Sequence, residues 1–546
     1  MRQYKVTETV DFVIVGAGAA GGVMARVLSG AGFSVVVLEQ GPHLHERDFK
    51  HDELGTVFHR ALTNDAKLQP QTFRAEAAER ALLSQAIGYG RMVGGGTAHF
   101  TGNYWRFHEG DFREKSRWGS IAGTGLADWP IGYADLEPYY AQAEEELGVS
   151  GLAEANPFEP PRKTPYPLPP MPIKSSGVLF ERGARKLGLH PFPAPLAILS
   201  RPYRGRNACL HCGFCEGYGC EVGAKSSTLA TVIPAALQTG CCEIRAGCYV
   251  RKIEIGTSGK ATGVRYFDPQ KREAFQKARS VIVCSNGAET PRLLLMSRSN
   301  RFPDGLANSS GLVGKFLMLD CGAFCSGLFE FPLNDYKSVQ VSRLLHDFYD
   351  PDPKRGFYGG GGIDARFDMN PMQFGLSGLP ADAPKWGSAY KRMLSEYFTR
   401  TMHLLSHSTT LPLEKNSISL DPDLKDAWRL PAMRTTFQCH PDDIKTMQFL
   451  MERQLEILDA AGARRTWSLP VESPKQGVHL MGTCRMGTDP SKSVVDPFHR
   501  THDVPNLFLV DGSSFVTCGR QPTCTIQALA YRAADYIGRA AKRGEI

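Results

Sequence analysis

The sequence predicts a mixed α/β chain (α/β plus α+β) in which a nucleotide-binding domain of Rossmann type is assembled from discontinuous segments around an inserted second domain. Three observations predict it. The chain has 546 residues, 42% of them apolar and 22% charged; that composition suits a soluble globular protein, and the length exceeds what one core serves, so two large units are expected. Residues 11–40 run strand, glycine-rich turn, helix, second strand, acid. Between about residues 320 and 475 the character changes to loops and short apolar runs, and glycine-rich, motif-like segments resume at 476. Residues 1–110, 200–320 and 476–546 are therefore assigned to the nucleotide domain, and residues 111–199 and 321–475 to a substrate domain with its connecting loops.

In chain order, Asp11-Phe12-Val13-Ile14-Val15 is an apolar run of strand length that enters Gly16-Ala17-Gly18-Ala19-Ala20-Gly21 directly. A helical pattern follows through Val23, Met24, Val27 and Leu28, then Val35-Val36-Val37-Leu38 and Glu39. Residues 43–80 are polar and mixed, and loops and extensions are expected there. The segment from Gly88 to Phe107 is glycine-rich and aromatic. Eight prolines among the sixteen residues from Pro157 to Pro172 predict an extended connection. A helix is expected from Thr228 to Leu237, and strands over residues 248–268 and 279–284, where β-branched residues alternate or run together. A further helix opens on Pro441, aligns Ile444, Met447, Met451, Leu455 and Leu458 on one face, and stops at Gly462. The chain ends in a helix from Ala528 to Ala541.

Several function classes are excluded. No stretch approaches the roughly 18 to 20 apolar residues that span a bilayer, so no direct membrane span is expected. The segment from Met1 to Asp11 has neither an apolar core nor a twin-arginine pair, and no export signal is expected from it. The formal net charge is +7, but the basic residues are scattered, the densest group being three arginines between Arg201 and Arg206; a nucleic-acid binder would show a basic stripe. Fourteen cysteines are too few for a disulfide scaffold in a chain this long.

Glycines at 16, 18 and 21 permit a tight turn and close approach of a pyrophosphate to the following helix N-terminus, while Glu39, eighteen residues beyond Gly21, is placed to accept hydrogen bonds from ribose hydroxyls. The pattern fits flavin and nicotinamide dinucleotides equally. A second constellation is Cys209-x2-Cys212-x2-Cys215-x4-Cys220. Thiolates so spaced can converge on an iron–sulfur cluster, whereas zinc usually draws two pairs separated by a long spacer. Zinc, plain thiols or disulfides remain the alternatives. The other ten cysteines read as small buried hydrophobes.

Three further segments carry a resemblance. Gly90-Arg91-Met92-Val93-Gly94-Gly95-Gly96-Thr97-Ala98-His99-Phe100-Thr101-Gly102-Asn103 and Asn286-Gly287-Ala288-Glu289-Thr290-Pro291 resemble the two signatures of the glucose-methanol-choline oxidoreductases. His479-Leu480-Met481-Gly482-Thr483, Val510-Asp511-Gly512 and Gln521-Pro522-Thr523 resemble that family's C-terminal catalytic region. The resemblance implies FAD, a substrate domain built on an antiparallel sheet, and alcohol oxidation by hydride transfer to the flavin. It implies that Gly16, Gly18, Gly21 and Glu39 hold the ADP half, and that Gly95, Asn103, Asp511, Gly512 and Thr523 line the rest of the cofactor. His479 falls on the family's catalytic histidine. Its partner position, elsewhere His or Asn, holds Gln521, which can still donate and accept a hydrogen bond but is no second base; a plain turn residue before Pro522 is the alternative. His99 raises covalent flavin attachment as a hypothesis, against an unlinked flavin packed beside it.

The cysteine run, with Arg201-Pro202-Tyr203 before it and Gly223-Ala224 after it, is similar to a bacterial branch of the family, the catalytic subunits of electron-transferring sugar dehydrogenases. Setting Gly223-Ala224 against the branch implies Cys209, Cys215 and Cys220 as ligands of a 3Fe-4S cluster, with Cys212 either extra or the fourth ligand of a 4Fe-4S cluster. The expectation is a dehydrogenase that oxidises a secondary hydroxyl of glucose or a glucoside, at C3 because the Cys212-Gly213-Phe214-Cys215 run and the Gln521-Pro522-Thr523 segment resemble glucoside 3-dehydrogenases. Electrons would leave through the cluster to a cytochrome c-like acceptor. A small signal-bearing subunit would carry the chain to the periplasm; a cytoplasmic enzyme is the alternative. The competing readings are a sugar oxidase using oxygen, a glucose- or gluconate-type dehydrogenase acting at another carbon, and a non-catalytic electron-transfer flavoprotein.

Overall fold

The computed structural model describes residues 3–546. Strand β1 (Val10–Val15), helix α1 (Ala19–Gly30) and strand β2 (Val35–Glu39) form the N-terminal βαβ unit. Phe12 pairs in parallel with Val35 on one side and with Ser280 on the other. The parallel sheet runs Cys242–Ala246, β2, β1, Glu273–Val283, Leu507–Leu509. Its strands come from all three expected nucleotide-domain segments. The inner strands are near-continuous apolar runs because both faces are covered. Phe12, Ile14, Val35 and Val37 pack under α1 and the C-terminal helix, while Val13, Val15, Val36 and Leu38 face the opposite core. The first half of Glu273–Val283 leaves this sheet to pair antiparallel with Ala261–Phe267, which pairs with Tyr249–Ile255.

The second body is a six-stranded sheet ordered Arg465–Ser468, Phe324–Leu328, Thr401–Ser408, Gly361–Arg366, Val341–Leu345, Phe192–Pro193, every pairing antiparallel. Helices Ser175–Lys186 and Pro441–Ala461 cover one face, where Phe180, Leu450, Ile457 and Leu458 meet Ile363, Ala365, Met402 and Leu404. The period of two then turns Asp364, Arg366, Leu405 and His407 to the other face, toward the nucleotide domain. A smaller sheet joins Ser417–Lys425, Pro431–Thr436, Gln71–Arg74 and Leu82–Leu83.

Some elements differ from expectation. Gln71–Arg74 is a strand rather than loop, because its partner, Met433–Thr436, lies far away in sequence. The helix expected from Thr228 begins at Val232; Thr228 instead ties the glycine loops together, its N–H on Thr97 Oγ1 at 3.1 Å and its hydroxyl on Gly18 O at 3.3 Å. The last helix spans Pro522–Lys542 and starts six residues early, with Pro522 at its first position where no N–H is needed. Pro441–Ala461 is capped by His440, whose Nδ1 accepts from Asp442 N, and stops at Gly462 with φ +95°. Its buried face is Met447, Leu450, Gln454, Ile457, Leu458 and Ala461; Ile444, Met451 and Leu455 sit at the edge. Residues 157–172 form no helix or strand. Among the described residues no helix is long and apolar enough to cross a membrane.

Candidate active site

One cavity of about 540 Å³ runs from the N-terminus of α1 to the open face of the six-stranded sheet. Its nucleotide end is built from backbone. Gly16 (φ +97°) and Gly21 cannot carry side chains: a Cβ on Gly16 would lie 2.6 Å from Cys284 O, and one on Gly21 would lie 1.9 Å from Gly16 O. Gly16 and Gly18 line the cavity, whereas Gly21 lies behind them and lets α1 close on the turn. Gly95 (φ +52°) stands opposite, where a Cβ would come 2.8 Å from Gly18 Cα. Two glycine loops thus leave a slot at a helix N-terminus, the cradle a dinucleotide pyrophosphate needs. Glu39 reaches the wall with Oε2 on Ala17 N (3.0 Å) and Oε1 on Gly41 N (2.8 Å), each oxygen keeping a lone pair for a ribose hydroxyl. Burial holds its pKa above the usual carboxylate value.

His99, Asp511, Gly512 and Thr523 line the middle of the cavity. Asp511 accepts from Thr290 Oγ1 at 2.6 Å and from Ser513 N at 2.8 Å. His99 is half-buried, its Nε2 is shut off from solvent with no hydrogen-bond partner among the described residues, and burial, with Lys225 nearby, lowers its pKa to about 4. An orphaned imidazole nitrogen, a glycine cradle and a buried acid together fit an FAD-sized ligand. Asn103, like Gly21, is an expected contact that does not line the cavity. It is buried but off the cavity wall, donating through Nδ2 to Asp364 at 3.1 Å.

At the far end His479 and Gln521 share the wall with Asp320, Glu216, Arg366 and His407. Asp320 lies 3.7 Å from His479 Nδ1 and accepts from the His479 backbone N–H at 3.4 Å. Burial lowers the His479 pKa; Asp320 opposes that shift, while His407 and Arg366 add to it. Gln521, the residue before the last helix, places Nε2 2.9 Å from His407 Nδ1 and 3.2 Å from its Nε2. His407 Nε2 lies 3.0 Å from Asp364 Oδ2, and Arg366 grips Asp364 with Nε and Nη2, both at 2.7 Å. The two histidine rings are 6.5 Å apart, centroid to centroid. His407, Asp364, Arg366 and Asp320 escaped the sequence reading. The one local signal was an acid and a base two residues apart, Asp364 and Arg366, in an otherwise apolar strand.

The cysteine run lies beside this cavity, with Glu216 and Gly217 on the wall and Gly217 N donating to His99 O at 2.7 Å. Among the described residues no group of three or more Cys, His, Asp or Glu is arranged to hold a metal ion, Cys209, Cys212, Cys215 and Cys220 included. The thiols face different surroundings. Cys215 is buried and Cys212 exposed, 4.0 Å from His51 Nε2. Cys209 Sγ accepts from His211 N at 3.3 Å, and Cys220 Sγ from Lys225 N at 3.5 Å. Burial pushes the Cys209 and Cys215 thiols up to about 11 and about 12.

Fold and cavity together define a dinucleotide-binding oxidoreductase whose substrate site opens onto an antiparallel sheet. Family profiles described as GMC oxidoreductase match residues 177–319 and 412–530, and an NAD(P)-binding Rossmann-like profile matches residues 14–68. The chain is 35% identical to 2-methyl-1,2-propanediol dehydrogenase of Mycolicibacterium austroafricanum over 97% of its own length and 96% of that protein. It is 31% identical to the fructose dehydrogenase large subunit of Gluconobacter japonicus (98% and 99% covered) and 30% to the gluconate 2-dehydrogenase flavoprotein of Pantoea cypripedii (97% and 93%). The crystal structure of pyridoxine 4-oxidase from Mesorbium loti matches with a TM-score of 0.67 at 18% identity, covering 97% of this chain and 99% of that one, which concerns the fold alone. The chain belongs to the GMC oxidoreductase family: it is an FAD oxidoreductase acting on alcohol or sugar-like substrates.

Proposed function

We propose that the chain is a dehydrogenase that oxidises a secondary hydroxyl of a sugar, with C3 of glucose or a glucoside as the preferred position, and passes the electrons to an external carrier rather than to oxygen. The observation that carries the reading is that His479 lies on the same continuous cavity as the glycine cradle, with Nδ1 3.7 Å from Asp320. FAD, when bound, accepts the hydride from the carbinol carbon. His479 takes the hydroxyl proton at Nε2, and Asp320 steadies the imidazolium that results. A lowered pKa keeps His479 neutral, and so able to act as a base, at pH 7. Gln521 hydrogen-bonds the same substrate oxygen.

A second reading, a small branched diol as substrate, is favoured by the 35% identity to an enzyme named for 2-methyl-1,2-propanediol. An anaerobic visible spectrum taken before and after adding methyl glucoside, glucose or that diol separates the two. Bleaching of the flavin bands by the glucoside supports the sugar reading. Bleaching by the diol alone replaces it, and no bleaching with any of them removes both.

The iron–sulfur reading of Cys209, Cys212, Cys215 and Cys220 rests on their spacing. Iron and acid-labile sulfide in the purified protein would sustain it, and their absence would leave four plain thiols. The names "large subunit" and "flavoprotein" among relatives support a small partner that carries the chain outward; export of this chain expressed alone overturns that idea.

A further inference from the structure

We infer that His407 is a positioning residue that acts through Gln521 and is not a second base, an inference that rests on the hydroxyl-oxidation reading above. Asp364 Oδ2 receives Asn103 Nδ2 (3.1 Å), Arg366 Nη2 (2.7 Å) and His407 Nε2 (3.0 Å), and Oδ1 receives Arg366 Nε (2.7 Å). The carboxylate is fully buried. With these donors it stays ionised, its pKa held below the usual range by Arg366 and His407 against the cost of burial. Arg366 Nη2 also stands 3.1 Å from His407 Nε2, but its shorter contact is the 2.7 Å hydrogen bond it donates to Asp364 Oδ2; a bare imidazole nitrogen 3.0 Å from that anionic oxygen would set lone pair against lone pair, so Nε2 carries the hydrogen. Nδ1 is then the bare nitrogen, and it is the nearer of the two to the Gln521 amide nitrogen, 2.9 Å against 3.2 Å for Nε2. Each ring nitrogen thus has a protein group within hydrogen-bond distance.

Gln521 is thereby held with one N–H and its carbonyl oxygen free for the cavity, the pair of groups that can bind a substrate hydroxyl and its oxygen. The chain Asn103–Asp364–His407–Gln521 links a flavin-signature loop, two strands of the substrate sheet and the start of the last helix. It gives Asn103 a role off the cavity wall. Trp105 stacks edge-on to His407 at 5.2 Å, and Arg366, Asp364, His346 and His479 are the titratable or charged groups around it.

The first test needs no substrate. Nitrogen-15 spectra of histidine-labelled holoenzyme at neutral pH, with the His407 signal assigned by its loss in His407→Asn, are expected to show hydrogen on Nε2 and a bare Nδ1. Hydrogen on Nδ1 overturns the inference. The second test is kinetic. His407→Asn keeps an acceptor near the Nδ1 position and costs less than about tenfold in kcat/KM. His407→Gln keeps the donor to Asp364, leaves the Gln521 amide unpaired and costs about 10- to 100-fold. His407→Gln added to Gln521→Ala costs nothing beyond Gln521→Ala alone. Equal loss in both His407 variants, with the acid limb of the pH profile erased, would make His407 a base and overturn the proposal. Flavin content and Tm of each variant separate misfolding from either outcome. A wild type whose flavin no alcohol bleaches removes the dehydrogenase reading and leaves the tautomer measurement to decide this one.

Discussion

The two ends of the cavity are built from different materials. The nucleotide end is mostly backbone: Gly16, Gly18 and Gly95 are there because no Cβ fits, or because open space is needed beside a helix N-terminus. The substrate end is a network of long side chains, His479, His407, Gln521, Asp364, Arg366 and Asp320, drawn from strands and loops far apart in the chain. A backbone cradle fails all at once when one atom is added. A side-chain network fails by degrees, one hydrogen bond at a time, and can change its substrate without changing its fold.

The largest expected effect is therefore at the nucleotide end. Gly21→Ala puts a methyl group 1.9 Å from Gly16 O, a backbone atom that cannot swing aside. The expected outcome is protein without flavin, read as a lost 450 nm band, and a fall in stability beyond the about 1–3 kcal/mol of ordinary overpacking. A flavin-replete Gly21→Ala variant would break the contrast. At the substrate end, His479→Asn should retain the flavin and lower the rate of anaerobic flavin reduction by about 10²- to 10⁴-fold, the usual worth of a general base. Asp320→Asn should do less. Asp320 raises the His479 pKa against burial, so its removal moves the acid limb of kcat/KM to lower pH while the plateau falls about tenfold. Movement to higher pH would show that Asp320 does not face the base.

The difference between the two ends also explains what could be read from the residues alone. Val10–Val15, the glycine turn, α1 and β2 are contiguous, and each choice of residue there is dictated by neighbours within thirty positions. The same holds for the Pro441 start and Gly462 stop of one helix. Gln71–Arg74 was opaque because its strand character depends on Met433–Thr436. His407 and Asp364 were opaque for the same reason, since the strand register that makes them neighbours is a long-range fact. Gly21 and Asn103 show the converse: both belong to legible motifs, yet neither lies on the cavity wall, because a motif records packing as well as contact. The cysteine run was legible as a spacing alone, and spacing does not say what four thiols hold.

The smallest effect concerns stability rather than chemistry, and both ends share it. His403 on the substrate sheet is fully buried and His99 beside the flavin cradle half-buried, and burial lowers each pKa to about 4. His403 gives Nδ1 to Ser326 Oγ at 2.8 Å, stacks on Phe367, and has no partner for Nε2 among the described residues. In the unfolded chain such a histidine titrates near pH 6.5, so between about pH 6.5 and 4 the unfolded state binds a proton that the folded state does not. Stability is then fully present above pH 6.5 and falls as the pH is lowered. From pH 7 to pH 5 each such histidine removes about 2 kcal/mol. Urea unfolding at the two pH values should show that loss, and His403→Gln, which has no proton to gain, should reduce it by about 2 kcal/mol while leaving the Gly21→Ala and His479→Asn results untouched. An unchanged pH dependence in His403→Gln would mean that this imidazole is protonated in the folded protein, and that the aromatic surroundings of the substrate sheet hold a charge.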